Sequence, residues 1–319
     1  MFAPLALFSL TAGLSVPLDG GSPEMVLAEY AHNSELELSP DGKKLIFQSQ
    51  DEDTSEDFIF VMEISSKKVQ ALGPGRDASF STDGKKIVFV LEPEEDVKAA
   101  AEDEEVDSEI YVMDSNGANR KRLTTDDAVQ VDPCFGPENK EIYCAESVSG
   151  DFSDMRIAKL SAEGGKTTAV SKPGAWCGSP AMLPSLGVIT YATEVVFEGS
   201  EDTGIGIAMG PLSDMAAAEI VFKPASDLSY FLPRFNWKGS YAAVEKMNDE
   251  GVSNIYVFAL AEDSTDEYEV GPLVGVDSFA LSDDGQTVYA AVAINEGGPA
   301  RIGKFEKGKE PVWLTNTRR

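Results

Sequence analysis

Histidine occurs once in the 319 residues, as His32, so metal centres built on several imidazoles and relays that need more than one are excluded. Cysteine is nearly as scarce. Cys134, Cys144 and Cys177 form neither an even disulfide framework nor a C-x-x-C metal pattern. Cys134 and Cys144 fall on neighbouring strands of one expected hairpin but diagonal to each other, where Cα separations exceed the roughly 7 Å that a bridge tolerates. Three buried free thiols are the expectation. No G-x-S-x-G nucleophile elbow is present, which argues against a serine peptidase. Positive charge is short as well: 26 Lys and Arg face 55 Asp and Glu, a net charge of −29. Phosphate backbones repel such a surface, so nucleic acid is excluded as a main partner. The same charge favours a soluble monomer, and it suits either a saline medium or the selection of cations and basic partners.

No apolar run is long enough to span a membrane. The uncharged segment at residues 2–16, FAPLALFSLTAGLSV, falls short of the roughly 18 residues required. It resembles a signal-peptide core, with Ala12, Gly13 and Ser15 available for cleavage, although no Lys or Arg precedes Lys43. LTAGL at 10–14 has Leu14 where a lipidated Cys would stand, so no lipid anchor is expected. Residues 1–27 are read as a signal segment or an apolar N-terminal arm.

The chain does have repeats. LSPDGKKLIF at 38–47, FSTDGKKIVF at 80–89 and LSDDGQTVYA at 281–290 each read as strand, turn, strand. Asp tolerates the corner, and Gly accepts the left-handed conformation that closes a type I turn with a bulge. FGPENKEIYC at 135–144, MLPSLGVITY at 182–191 and FNWKGSYAAV at 235–244 are weaker copies. A third apolar strand follows each hairpin, as in EIYVMD at 109–114, and a shorter fourth closes each unit, as in RKRLT at 120–124. Four strands repeated six times, about 48 residues apart, predict an all-β chain: a six-bladed β-propeller of four-stranded antiparallel blades. The propeller is placed at 28–319, with blades near 28–73, 74–125, 126–172, 173–224, 225–271 and 272–319. Ring closure is expected by packing of the sixth blade on the first, helped by MVLAEY at 25–30.

Loops joining strands two to three, and the links between blades, share one face of a propeller; the other turns share the opposite face. The first set contains DEDTSED at 51–57, EPEEDVKAAAEDEEVDSE at 92–109, SGDFSD at 149–154, EGSEDTG at 198–204 and NDEG at 248–251. The second carries Lys43, Lys44, Lys67, Lys68, Lys85, Lys86, Arg120, Lys121, Arg122, Lys140 and Lys166, and blade five is an exception, since AEDSTDEYE at 261–269 puts acid on this face. A disc with one acidic and one basic face is predicted. The insertion at 92–109 holds ten carboxylates against Lys98, and Pro93 ahead of Glu94, Glu95 and Asp96 suits the start of a short helix.

SPDGKK at 39–44, and its copy STDGKK followed by SEIYVMD, an NG turn and RKRLT across residues 81–124, resemble the TolB-like, WD-type propeller repeat. The resemblance covers all six repeats but not the α/β domain that precedes the propeller in TolB. It implies a six-bladed, commonly periplasmic or secreted protein that serves as a protein-binding platform. By topology and that analogy, a protein or peptide ligand, basic in character, is expected at the channel rim on residues just before each first strand: His32, Arg76, Asp77, Asp132, Trp176, Asp227 and Asp277. No catalytic residue is assigned. The alternative is a propeller hydrolase or lyase that uses a divalent cation and converging carboxylates. No cofactor is predicted outright. Calcium is the one that such loops suit, and Asp51, Asp53 and Asp57 are weak candidates, since Glu56 and Met62 replace the Gly and Glu that an EF-hand loop needs. GIG at 204–206 opens a strand and does not precede a helix, so it is not a dinucleotide loop.

Overall fold

A computed structural model of the chain describes residues 30–51, 56–93, 108–196, 203–222, 229–247, 252–261, 264–293 and 300–315. Six four-stranded antiparallel units follow one another. The first two are Tyr30–Leu38, Lys44–Asp51, Asp57–Glu63, Lys68–Pro74 and then Arg76–Phe80, Lys86–Leu91, Glu109–Asp114, Lys121–Arg122. Blade three is Val129–Phe135, Glu141–Ser147, Arg156–Ser161, Thr168–Ala169; blade four is Cys177–Leu183, Val188–Val196, Thr203–Pro211, Glu219–Phe222. Blades five and six are Ser229–Phe235, Tyr241–Met247, Val252–Ala259, Glu267–Val274 and Val276–Leu281, Thr287–Ala293, Ala300–Glu306, Val312–Trp313.

The turn chemistry explains why the units recur. Each first hairpin closes on a left-handed residue: Gly42, Gly84, Asn139, Gly187, Gly239 and Gly285, with φ between 57° at Asn139 and 69° at Gly42. Asn is the one common substitute that tolerates this region. In the best-kept copies the serine opening the turn also matters. The hydroxyls of Ser39, Ser81 and Ser282 donate to Asp41, Asp83 and Asp284, and accept the N–H of Lys44, Lys86 and Thr287.

Alternating apolar residues on the blade faces are buried between neighbours. Phe47, Phe60, Phe80 and Phe89 are among the largest fully buried side chains, each contributing about 1.5–3 kcal/mol by burial. Five apolar clusters join blades one to two, two to three, three to four, five to six and six to one. Among the described residues no cluster joins four to five. A cleft of about 520 Å³ lies there instead, lined by Phe222 on one side and by Val244, Tyr256 and Phe258 on the other. Closure between six and one has more than packing: a parallel bridge pairs the backbone of His32 with Ala300, and Leu36 N–H donates to Ser278 Oγ at 3.0 Å.

All three cysteines are free and buried, and Cys134 sits opposite Tyr143 and not Cys144. Among the described residues no helix is long and apolar enough to cross a membrane.

Candidate functional site: the channel mouth

The innermost strand of every blade carries a register shift before its turn. In blades one to four, the residue four positions before the turn is left-handed without being glycine: Glu35 (φ 47°), Asp77 (52°), Asp132 (51°) and Ser179 (46°). L-residues enter this region at a cost of roughly 1–2 kcal/mol. Here the bulge turns each side chain towards the axis, where inner strands of all six blades line a cavity of about 190 Å³.

These side chains form a ring. Ser179 Oγ donates to Asp132 Oδ2 at 2.9 Å, and Asp132 N–H reaches Asp77 Oδ2 at 3.4 Å. Gln48 Oε1 accepts from Asp77 N–H at 2.9 Å. Cations are few. Arg76 bridges Asp77 at 2.9 Å and Glu92 at 3.2 Å, while Arg234 reaches Glu35 across the channel at 3.2 Å. Four carboxylates thus share two guanidiniums. Burial, then repulsion from Asp132, pushes the Asp77 carboxyl up to about 7 against the pull of Arg76. Burial and the Glu35 charge likewise raise Asp132.

Two residues further along the strand lies a second layer, which includes Glu37, Ser79, Cys134 and Arg234. Glu37 Oε1 accepts Phe80 N–H at 2.7 Å, and burial pushes its carboxyl up to about 7. Below this layer Trp237, from the blade-five turn, reaches across the ring and donates its indole N–H to Leu38 O at 2.6 Å.

The predicted rim residues are placed unequally. Arg76, Asp77 and Asp132 are brought together. Trp176 lies outside the ring, its indole N–H donating to Phe152 O at 2.9 Å. Asp277 is exposed, near the start of the first strand of blade six, and does not line the axial cavity. The backbone of His32 is in the first strand, but its side chain lies outside the described residues, as does Asp227. Of the calcium candidates, Asp53 and the Asp51 side chain are likewise outside, and burial raises the Asp57 carboxyl, opposed by Arg76. The expected helix at 92–109 falls mostly there too. Glu35, Glu37, Ser179 and Arg234 were not singled out by sequence.

The opposite face differs from expectation. Several of its lysines have a carboxylate partner: Lys43 with Asp41, Lys85 with Asp83 and Lys140 with Glu138 within their own turns, Lys86 with Asp114 on the next strand and Lys121 with Glu163 on the next blade. Arg120 is not on that face in any useful sense, because it stacks over Phe89 and donates to Pro74 O and Leu72 O between blades. Part of that face's positive charge is thus offset in place, whereas in the channel four carboxylates share two guanidiniums.

A divalent cation fits the ring poorly. Among the described residues no three His, Cys, Asp or Glu are grouped as metal ligands, and both guanidiniums already engage the carboxylates.

No family model matches the chain, and none of the curated proteins does. Solved structures do. TolB from Acinetobacter baumannii matches with a TM-score of 0.52 at 17% identity over 90% of this chain, which spans 58% of that protein. The β-propeller domain of the trilobed protease from Pyrococcus furiosus matches at 0.61 and 12% identity, covering 91% of this chain and 99% of that one. Oligogalacturonate lyase from Vibrio parahaemolyticus matches at 0.55 and 13%, over 90% and 78%. What the chain shares with these proteins is the propeller fold, TolB propellers included.

Proposed function

We propose that this propeller is a non-catalytic scaffold, periplasmic or secreted, which holds a basic segment of a protein or peptide partner at the upper mouth of its channel. The observation that carries the reading is the charge imbalance of the ring. Asp77 and Asp132 are buried against each other with too few guanidiniums, so an arriving ammonium or guanidinium relieves repulsion already present in the free protein. The resemblance to TolB-like repeats, which mostly serve as protein-binding platforms, supports the same reading. Among the described residues no group of three His, Cys, Asp or Glu is set to hold a divalent cation, so the enzyme alternative has less support there.

Titration calorimetry of the full chain with Arg- and Lys-containing peptides tests it. Binding is expected to weaken as salt rises, and Asp132→Asn to lower affinity by about ten-fold, roughly 1.4 kcal/mol. Salt-independent binding, or undiminished binding by Asp132→Asn, would remove the basis of the reading. A rise in melting temperature of several degrees with calcium or manganese, reversed by chelator, would favour the enzyme instead.

A further inference from the structure

The ring leaves a second feature of the same face unexplained. The loop between the second and third strands of blade three displays Val148 at 60% and Phe152 at 57% exposure. The loop itself is tightly built. Ser147 and Ser149 donate to the two oxygens of Asp154 at 2.5 and 2.6 Å, and Ser153 N–H donates to Asp151 at 2.8 Å. Trp176 is tied to it through the Phe152 carbonyl. The indole also lies over Gly178, where an added Cβ would come within 3.1 Å of the ring, so the missing side chain gives the indole its seat.

Single exposed apolar residues need no explanation. Here, however, two of them stand beside a half-buried indole on a fixed loop. Trp176 precedes the first strand of blade four by one residue and Ser179, the residue that holds Asp132, by three. Three residues of chain span at most about 10 Å, which is the upper limit on the separation of Trp176 from Ser179 in the ring. The loop that bears Val148 and Phe152 also carries the exposed acids Asp151 and Asp154, which repel an acidic ligand and accept a basic one.

Resting on the channel-mouth reading above, we propose that the ligand is an extended peptide segment with two anchors. One is a Lys or Arg that enters the ring of Glu35, Asp77 and Asp132. The other is a bulky apolar side chain about three residues away, which packs on Val148, Phe152 and the face of Trp176.

Fluorescence anisotropy with labelled peptides on the full chain tests this. One peptide carries Arg and Phe three residues apart, a second has that Phe replaced by Ala, and a third moves the Phe well beyond reach. The first should bind about ten-fold more tightly than the other two. Phe152→Ser, a change at an exposed position, should abolish that ten-fold advantage while leaving the Arg-only peptide unaffected; Val148→Ser should reduce it. If all three peptides bind equally, or Phe152→Ser binds the first as the native chain does, the shelf is not an anchor although the ring reading stands. If no Arg peptide binds at all, both fall together.

Discussion

Replacing Glu37 with Gln isolates the electrostatics of the channel in a single difference measurement. The Glu37 carboxyl accepts Phe80 N–H at 2.7 Å, and burial carries it from its ordinary 4.5 to about 7. Between those values the folded chain keeps a proton that the unfolded chain has lost. Stability from this group is therefore complete below about pH 4.5, declines as pH rises through the window, and stays low above about 7. At 1.36 kcal/mol per pKa unit the loss is about 3 kcal/mol, or about 5 °C of melting temperature for a chain of this length. Glu37→Gln keeps an acceptor for Phe80 and cannot ionise. Calorimetric melts of both proteins from pH 5 to 8 at constant ionic strength should diverge steadily, with the variant ahead by about 3 kcal/mol at the alkaline end. The other carboxylates titrate in both proteins and largely cancel. Parallel curves would refute the argument, and a variant less stable at pH 8 would show that Arg234 holds position 37 in its charged form.

Two glycines with the same backbone conformation should respond differently to alanine. Gly42 (φ +69°) faces open space, so Gly42→Ala should cost only the roughly 1–2 kcal/mol of left-handed strain. At Gly285 (φ +63°) the new Cβ meets the Tyr241 ring at 2.4 Å, so a further ~1–3 kcal/mol of overpacking is expected in urea melts. Equal losses would mean that the two blades do not meet there. Native protein should leave an aromatic disulfide reagent unconsumed, because all three thiols are buried and burial raises the Cys177 thiol as well. Denaturant should release all three, and prompt reaction of any one in buffer would contradict its placement.

The fold was legible because its signal is local. A serine, an aspartate and a left-handed glycine determine the three best-kept hairpins within a few residues, and even the degraded copy with Asn139 at that corner keeps the required conformation. The ring was only half legible. Sequence reasoning found Asp77 and Asp132, but which residue of an inner strand faces the axis depends on a bulge that shifts the alternation. Counting four back from each turn places Glu35, Asp77, Asp132, Ser179 and Ser278 in one column. That rule would have exposed Glu35 and Ser179 and passed over Asp277. Arg234 lay beyond reach, since it serves a carboxylate from a blade that is not its neighbour. The strength of the basic face was overstated for a related reason: composition counts lysines, whereas the fold gives several of them an aspartate or glutamate nearby.

Trp237 turns the axial cavity into a cup with a floor. A polypeptide that enters from the ring side meets this indole at the far end, which favours the insertion of a side chain, a terminus or the tip of a loop over threading. Two partners that share this opening are therefore mutually exclusive, and handover from one to the other proceeds at the pace of the first one's departure.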